Sequence, residues 1–247
     1  MKAVGVIPAR WQSTRFPGKS LAMIDGQPMI LRVLERASSA AALDSVFVAT
    51  DDNRIKETVE KHGGKAVMTN STHESGTDRI AEAISGIDCA VVVNIQGDEP
   101  FINPLLINRL VDEMLSGNNW DMATAATPIR QHEQVCDKNI CKVVFDIEGR
   151  AMYFSRSVIP FVRDPDFACN TPVHWRHIGI YAYTRTFLEK FVAAAPSLIE
   201  KAERLEQLRA LHLGAKIKVL ETEDNGIGVD TPKDLAIAEN KIRNSDQ

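Results

Sequence analysis

The sequence predicts an α/β protein: a parallel sheet covered by helices on both sides, with an inserted strand-rich region in its second half. Three observations carry this. Short apolar runs alternate with longer amphipathic stretches through the first half of the chain. One of those runs, Cys89–Ile95 (CAVVVNI), lacks polar alternation, as a strand buried on both faces should. The rhythm then breaks, and strand-like segments follow one another with few helices between them.

The elements follow in order. Ala3–Pro8 reads as the first buried strand. Pro28–Ser38 (PMILRVLERAS) has a helical period, and Pro28 suits a first turn, where a missing N–H leaves nothing unpaired. Ser45–Thr50 is strand, and Asp52–His62 is helix, stopped by Gly63-Gly64. Lys65–Met68 is a short strand; Thr77–Ser85 and Pro104–Ser116 are helices on either side of the Cys89–Ile95 strand. This β-α-β-α order argues for a parallel sheet with helices on both faces. Asp121–Ile129, Lys142–Asp146, Ala151–Ser155 and His177–Tyr183 then look like strands, which suggests an extension or second sheet around residues 130–180. Helices return at Arg185–Ala194 and Ala202–Leu213. Lys216–Leu220 is strand and Lys233–Arg243 a final helix, with Thr231 or Asp230 available as its cap. With no repeat and no low-complexity linker, one domain with an inserted β region fits better than two independent domains.

Composition excludes several classes of function. Lys and Arg number 29 against 33 Asp and Glu, a net charge of −4, which makes a poor general nucleic-acid binder. Hydrophobic residues at 44% and charged residues at 25% are ordinary globular values and exclude a disordered or fibrous chain. No apolar run reaches the roughly 18 residues of a membrane span, and the apolar N-terminus is too short for a signal peptide. The expectation is a soluble cytoplasmic protein. Cys89, Cys136, Cys141 and Cys169 form no C-x-x-C pair and have no matching histidine pair, so neither a zinc site nor a disulfide framework is expected.

Open parallel sheets place ligands beyond the carboxyl ends of their strands, so the loops after Pro8, Thr50, Ile95 and Leu220 are the informative ones. The first carries Arg10, Arg15 and Lys19 with Ser13, Thr14 and Gly18 between them. Cations and free backbone N–H groups are what a polyphosphate needs. Gly18-Lys19-Ser20 also imitates the tail of a P-loop. However, Ser13 stands where its first glycine belongs, and Pro17 offers no N–H to a phosphate. The loop after Ile95, Gln96-Gly97-Asp98-Glu99-Pro100, puts two carboxylates beside a glycine. Mg²⁺ takes one or two carboxylates together with phosphate oxygens, and Asp98 lies nearer the strand end than Glu99. The alternative is that these acids cap the next helix.

Asp230 sits in a late glycine-containing turn, where helix capping explains it equally well. Ser75-Gly76-Thr77-Asp78-Arg79 is a helix start able to cap itself or to hold a base or ribose. Arg156, Arg176, His177 and Tyr181 fall in the strand-rich region, and the strand period puts His177, Gly179 and Tyr181 on one face, a possible sugar or acid site. Glu206 and Gln207, taken alone, read as the solvated face of a helix whose Leu205, Leu208 and Leu211 face inward.

The segments Ile7-Pro8-Ala9-Arg10, Ser13–Lys19, Ser75–Arg79, Asn94–Pro100, Arg176–Tyr181, Leu205–Arg209 and Gly228–Pro232 together resemble the 3-deoxy-manno-octulosonate (Kdo) cytidylyltransferases. The resemblance runs from residue 2 to about 240. It implies a single Rossmann-like nucleotidyltransferase domain, its sheet mixed and mainly parallel, with a β-rich sugar-binding and dimerisation extension at about 130–185. It implies a bacterial cytoplasmic homodimer that makes CMP-Kdo and pyrophosphate from CTP and Kdo for lipopolysaccharide, with Mg²⁺. Arg10, Arg15 and Lys19 would grip the triphosphate, with Ser13 beside them. Ser75, Gly76, Thr77 and Arg79 would surround the cytidine. Asp98 and Asp230 would hold Mg²⁺. Gln96, Arg156, His177, Tyr181, Glu206 and Gln207 would line the sugar site.

Trp11 and Phe16 stand where the family pattern has tyrosine and leucine, and Glu74 where it has glutamine. The added carboxylate keeps the 8-amino analogue of Kdo as a second acceptor. Rival classes are another cytidylyltransferase, such as one for sialic acid, a P-loop kinase, and a non-catalytic nucleotide-binding protein.

Overall fold

The first apolar run forms β1 (Ala3–Ala9), buried along almost its whole length. It lies parallel to β4 (Ser45–Thr50), with Val4 opposite Ser45, and parallel to β6 (Val91–Asn94), with Val4 opposite Val92. β4 pairs in parallel with β5 (Lys65–Met68). All four β6 residues are buried, as its lack of alternation requires. In the ladder β6-β1-β4-β5 the carboxyl ends therefore share one edge.

Between β1 and β4 run a single 3₁₀ turn at Lys19–Leu21, the two-residue strands β2 (Met23–Ile24) and β3 (Gln27–Pro28), and α1 (Met29–Ser38). Pro28 sits one position before α1 rather than within it. β2 and β3 form a hairpin around Asp25-Gly26. α2 (Asn53–Lys61) is capped by Asp52, whose side chain accepts from the Arg54 N–H, and Gly63 follows in the left-handed region at φ 77°. α3 (Gly76–Ala83) and α4 (Pro104–Leu115) flank β6 in sequence. α1 and α3 pack on β1 and β4, and α2 packs on β4 and β5.

The computed structural model describes residues 1–12, 16–164, 172–224, 226 and 228–245, with side chains as far as residue 243. Ser13 and Arg15 of the expected phosphate loop, with Thr14, and also Cys169, lie outside the described residues. The chain divides into two compact units, Met1–Asp112 with Gly226–Gln247, and Glu113–Asn225. The parallel ladder belongs to the first. The final helix α9 (Pro232–Ser245) also belongs there; Ala238 packs with Ile24, Met29 and Val229 against Phe101, Leu235 and Ile242.

The second unit holds β7 (Met122–Pro128), α5 (His132–Cys136), β8 (Lys142–Phe145), β9 (Ala151–Ser155), β10 (Trp175–Thr184), α6 (Arg185–Ala193), α7 (Leu198–Glu203), α8 (Gln207–His212) and β11 (Ile217–Glu221). β11 is parallel to β7, whereas β10 is antiparallel to β7 and β8, and β8 to β9. The sheet structure of this α/β, Rossmann-like fold is thus mixed: parallel along β6-β1-β4-β5 and, in the second unit, antiparallel except for the β11-β7 pair.

One expectation fails. The sequence predicts a continuous helix over 202–213, but α7 and α8 are separated there by Arg204 in the left-handed region at φ 52°. The Ser197–Glu200 capping box starts α7 earlier than expected, and α8 begins afresh at Gln207. The short helix α5 was not expected at all. Among the described residues no helix is long and apolar enough to cross a membrane.

Candidate active site

A cavity of about 310 Å³ opens in the first unit beyond the carboxyl ends of β1, β5 and β6. Its lining includes Ala9 and Arg10 after β1, Glu74, Ser75 and Gly76 before and at the start of α3, and Gln96, Gly97 and Asp98 after β6. Lys19, Arg79 and Asp230 complete the charged part. Parallel sheets gather ligand loops in this way because every strand delivers its loop to one edge.

The loop carrying Lys19 is seated by Trp11. The Arg54 guanidinium stacks 3.3 Å from the Trp11 ring centroid, and the Gly18 N–H donates to the Trp11 carbonyl at 3.0 Å. Gly18 has φ 70°, and a Cβ there would meet the Trp11 ring at 2.9 Å, so this turn needs glycine on both counts. Lys19 then directs its ammonium to Asp98 Oδ2 at 2.6 Å and Asp230 Oδ1 at 3.0 Å. Burial pushes the Lys19 pKa down, but the charges and hydrogen bonds of Asp98 and Asp230 outweigh it, and the pKa lies above its ordinary value. No helix worth the name follows Lys19, only the three-residue 3₁₀ turn, so the P-loop reading fails structurally.

The two acids arrive from distant loops and are tied together. The Val229 N–H donates to the Asp98 carbonyl at 2.8 Å, and buried Val229 pins its turn into the apolar cluster around Met29. Thr231 caps α9, accepting from the Asp234 N–H at 3.3 Å while Asp234 accepts from the Asp230 and Thr231 N–H groups. The capping role therefore falls to Thr231 and leaves an Asp230 oxygen for Lys19. At Gly97 the backbone passes so near β1 that a Cβ would lie 2.9 Å from the Pro8 carbonyl oxygen. Two carboxylate oxygens converging on one cation are hard donors of the type Mg²⁺ takes. Among the described residues no group of three or more acidic, His or Cys side chains is arranged as a metal site.

Ser75 caps α3 by accepting from the Asp78 N–H at 3.1 Å. Gly76 lines the cavity, whereas Thr77 is buried in the first turn and does not. Arg79 is buried and held by Asp51 Oδ2 at 2.8 Å and Thr69 Oγ1 at 2.5 Å. Glu74 lies in this cavity, alongside His73 and Arg10.

The remaining expected residues lie in the second unit. His177 is buried with its ring 5.4 Å from that of Tyr181 and edge-on to Phe154 at 5.0 Å. Tyr181 donates its hydroxyl to Gln207 Oε1 at 3.3 Å, and Gln207 donates to Cys141 Sγ at 3.5 Å. Burial pushes the Cys141 thiol up to about 12, so it stays a neutral thiol. Gln207 is buried rather than solvated, and Glu206 is half-buried just before α8. Arg156 is engaged by main-chain carbonyls: its Nε donates to Glu203 O at 2.9 Å and its Nη1 to Lys138 O at 3.2 Å.

Sequence reasoning missed Asp51, Thr69, Cys141 and Lys142. Asp51 opens the loop after Thr50, so the rule that singles out strand-end loops points to it. Lys142 has no exposed surface, and its ammonium donates to the carbonyls of Asp137, Ile140 and Arg156 at 2.9, 2.7 and 2.6 Å. Nothing in a strand pattern marks such a lysine as a clasp.

Comparison with known proteins agrees with this geometry. The family model described as Cytidylyltransferase matches residues 4–217. The 3-deoxy-manno-octulosonate cytidylyltransferase of Pelobacter propionicus is 47% identical over 250 residues, covering 98% of each chain. That of Bdellovibrio bacteriovorus is 50% identical over 237 residues, covering 96% of each. A solved structure of CMP:2-keto-3-deoxy-manno-octonic acid synthetase complexed with CTP superposes with a TM-score of 0.94 at 40% identity, covering 99% of this chain and 100% of that one. The chain belongs to the cytidylyltransferase family, among its 3-deoxy-manno-octulosonate cytidylyltransferases.

Proposed function

We propose that this protein forms CMP-Kdo and pyrophosphate from CTP and Kdo, in the bacterial cytoplasm and as a homodimer, supplying lipopolysaccharide synthesis. The observation that carries the reading is the meeting of Lys19, Asp98 and Asp230 at the cavity that Arg10 also lines. The anomeric hydroxyl oxygen of the sugar attacks the α-phosphorus of CTP. The new P–O bond forms as the bond to the β-phosphate oxygen breaks, and the hydroxyl proton leaves to solvent.

Catalysis of this kind is positioning and charge neutralisation. Lys19 and Arg10 offset the triphosphate charge, with Arg15 assigned to the same task. Ser75, Gly76 and Arg79 are the residues assigned to the cytidine, with Thr77 behind them in the first turn of α3; Ser13 is assigned to CTP with the phosphate loop, and Gln96, His177, Tyr181, Arg156, Glu206 and Gln207 to the sugar acid. Asp98 and Asp230 fit Mg²⁺, which when bound supplies positive charge to phosphate oxygens and acidity to a coordinated hydroxyl.

The test measures pyrophosphate release from CTP and Mg²⁺ with Kdo, with 8-amino-Kdo and with neither. Release that requires Kdo supports the reading, and a higher kcat/KM with the amino sugar would reassign the acceptor. Silence with both sugars, from protein shown to bind CTP, would refute it. Sedimentation velocity checks the dimer, which a monomer at micromolar concentration would exclude.

A further inference from the structure

The register of β10 against β7 shifts between Ile178 and Ala182. Such a bulge takes backbone carbonyls out of the regular ladder. Thr124, on β7 opposite the shift and with no exposed surface, sends its hydroxyl into the gap. Its Oγ1 lies 2.8 Å from the Ile180 carbonyl oxygen, 3.1 Å from that of Ile178 and 2.9 Å from His177 Nε2.

A hydroxyl has one proton, and carbonyl oxygens can only accept. The proton therefore goes to a carbonyl, and the lone pairs of Oγ1 face Nε2. Were it donated to Nε2 instead, two carbonyl oxygens would press on the hydroxyl lone pairs. Nε2 must then carry the ring proton and donate it to Thr124. Burial, and next the charge of Arg176, push the imidazole pKa down to about 3, so the ring is neutral and its other nitrogen is bare. The rings of Phe154 and Tyr181 hold its plane, and among the described residues no hydrogen-bond partner falls on Nδ1.

We propose that Thr124 is a positioning residue for the sugar site: it fixes His177 as the Nε2–H tautomer, which presents Nδ1 as an acceptor for a hydroxyl of the sugar acid. This rests on the proposed role of His177 at the sugar. The sequence contains six histidines, so His177→Gln identifies the His177 signals in a long-range ¹H–¹⁵N correlation spectrum. The expected wild-type spectrum shows protonated Nε2 and bare Nδ1 from about pH 5.5 to 8.

Thr124→Val, or Thr124→Ala if the valine variant does not fold, should lose that tautomer. It should also raise the KM for Kdo about tenfold, the worth of one hydrogen bond, with the KM for CTP unmoved. Thr124→Ser, which keeps the hydroxyl, should restore both. A protonated Nδ1 in the wild type, or a wild-type tautomer in the hydroxyl-free variants, overturns the proposal through its geometry. The expected tautomer with an unchanged KM for Kdo in His177→Ala overturns it through its functional premise instead.

Discussion

Lys19 is held between two carboxylates, and the three side chains answer to different causes. Asp98 was legible in the sequence because it follows a buried strand directly, where parallel sheets place ligands. Asp230 was not, because an acid before a helix is also the ordinary cap. Only the structure shows Thr231 taking that task. Asp98→Asn keeps the size of the side chain and removes the charge nearest Lys19. It should lower kcat about 10²–10³-fold, the scale of losing one preorganised electrostatic contact, while the circular dichroism stays native. Near-normal turnover would remove Asp98 from the chemistry. Lys19→Ala removes the cation that Asp98 and Asp230 both bind at the cavity. Both a raised KM for CTP and a lower kcat are expected in steady-state assays, and unchanged kinetics would place the triphosphate elsewhere in the molecule.

At the scale of elements, strands were read more surely than helices. β4, β5 and β9 match their expected bounds because turn residues and apolar runs mark both ends. The break between α7 and α8 escaped because Leu205, Leu208 and Leu211 continue the helical period straight through it. The signal that could have found it is Ser197-Leu198-Ile199-Glu200, a capping box starting a helix several residues early. That same Glu200 binds Arg209 of α8 through both oxygens, at 2.6 and 2.9 Å, with both side chains at most 10% exposed. Glu200 thus fastens the two short helices, each too short to be stable alone. Glu200→Ala would strand a buried guanidinium and should cost about 3–5 kcal/mol in urea unfolding. Adding Arg209→Met should return the part of the loss owed to the buried charge but not the part owed to the capping box, in which Glu200 accepts from the Ser197 N–H; a double variant as unstable as the single would show that the charge carries none of it.

For the molecule as a whole, net charge described the surface but not the site. A chain of net charge −4 lines one cavity with Arg10, Lys19 and Arg79 against Glu74, Asp98 and Asp230, a local balance of charge that the overall value does not describe. The residues proposed for the sugar were less legible still, since His177 and Gln207 are separated in sequence and both buried by packing that no local pattern encodes. Burial of a neutral histidine has a global consequence. The His177 pKa is about 3 when folded, below the ordinary 6.5 expected of the unfolded chain. Between those values the unfolded state binds the extra proton, so stability rises with pH and is lost as pH falls below about 6.5. The slope approaches about 1.4 kcal/mol per pH unit, which integrates to about 2 kcal/mol between pH 7 and 5. The depressed carboxyls of Asp44, Asp52 and Glu82 lose stability in the same direction at lower pH, but they are common to wild type and variant. Urea unfolding of wild type and His177→Gln at both pH values therefore isolates the histidine. The wild type should lose about 2 kcal/mol more than the variant on going from pH 7 to 5. Equal losses would mean that the folded protein accepts a proton on His177 near neutrality, and Nδ1 would then offer a sugar a donor instead of an acceptor.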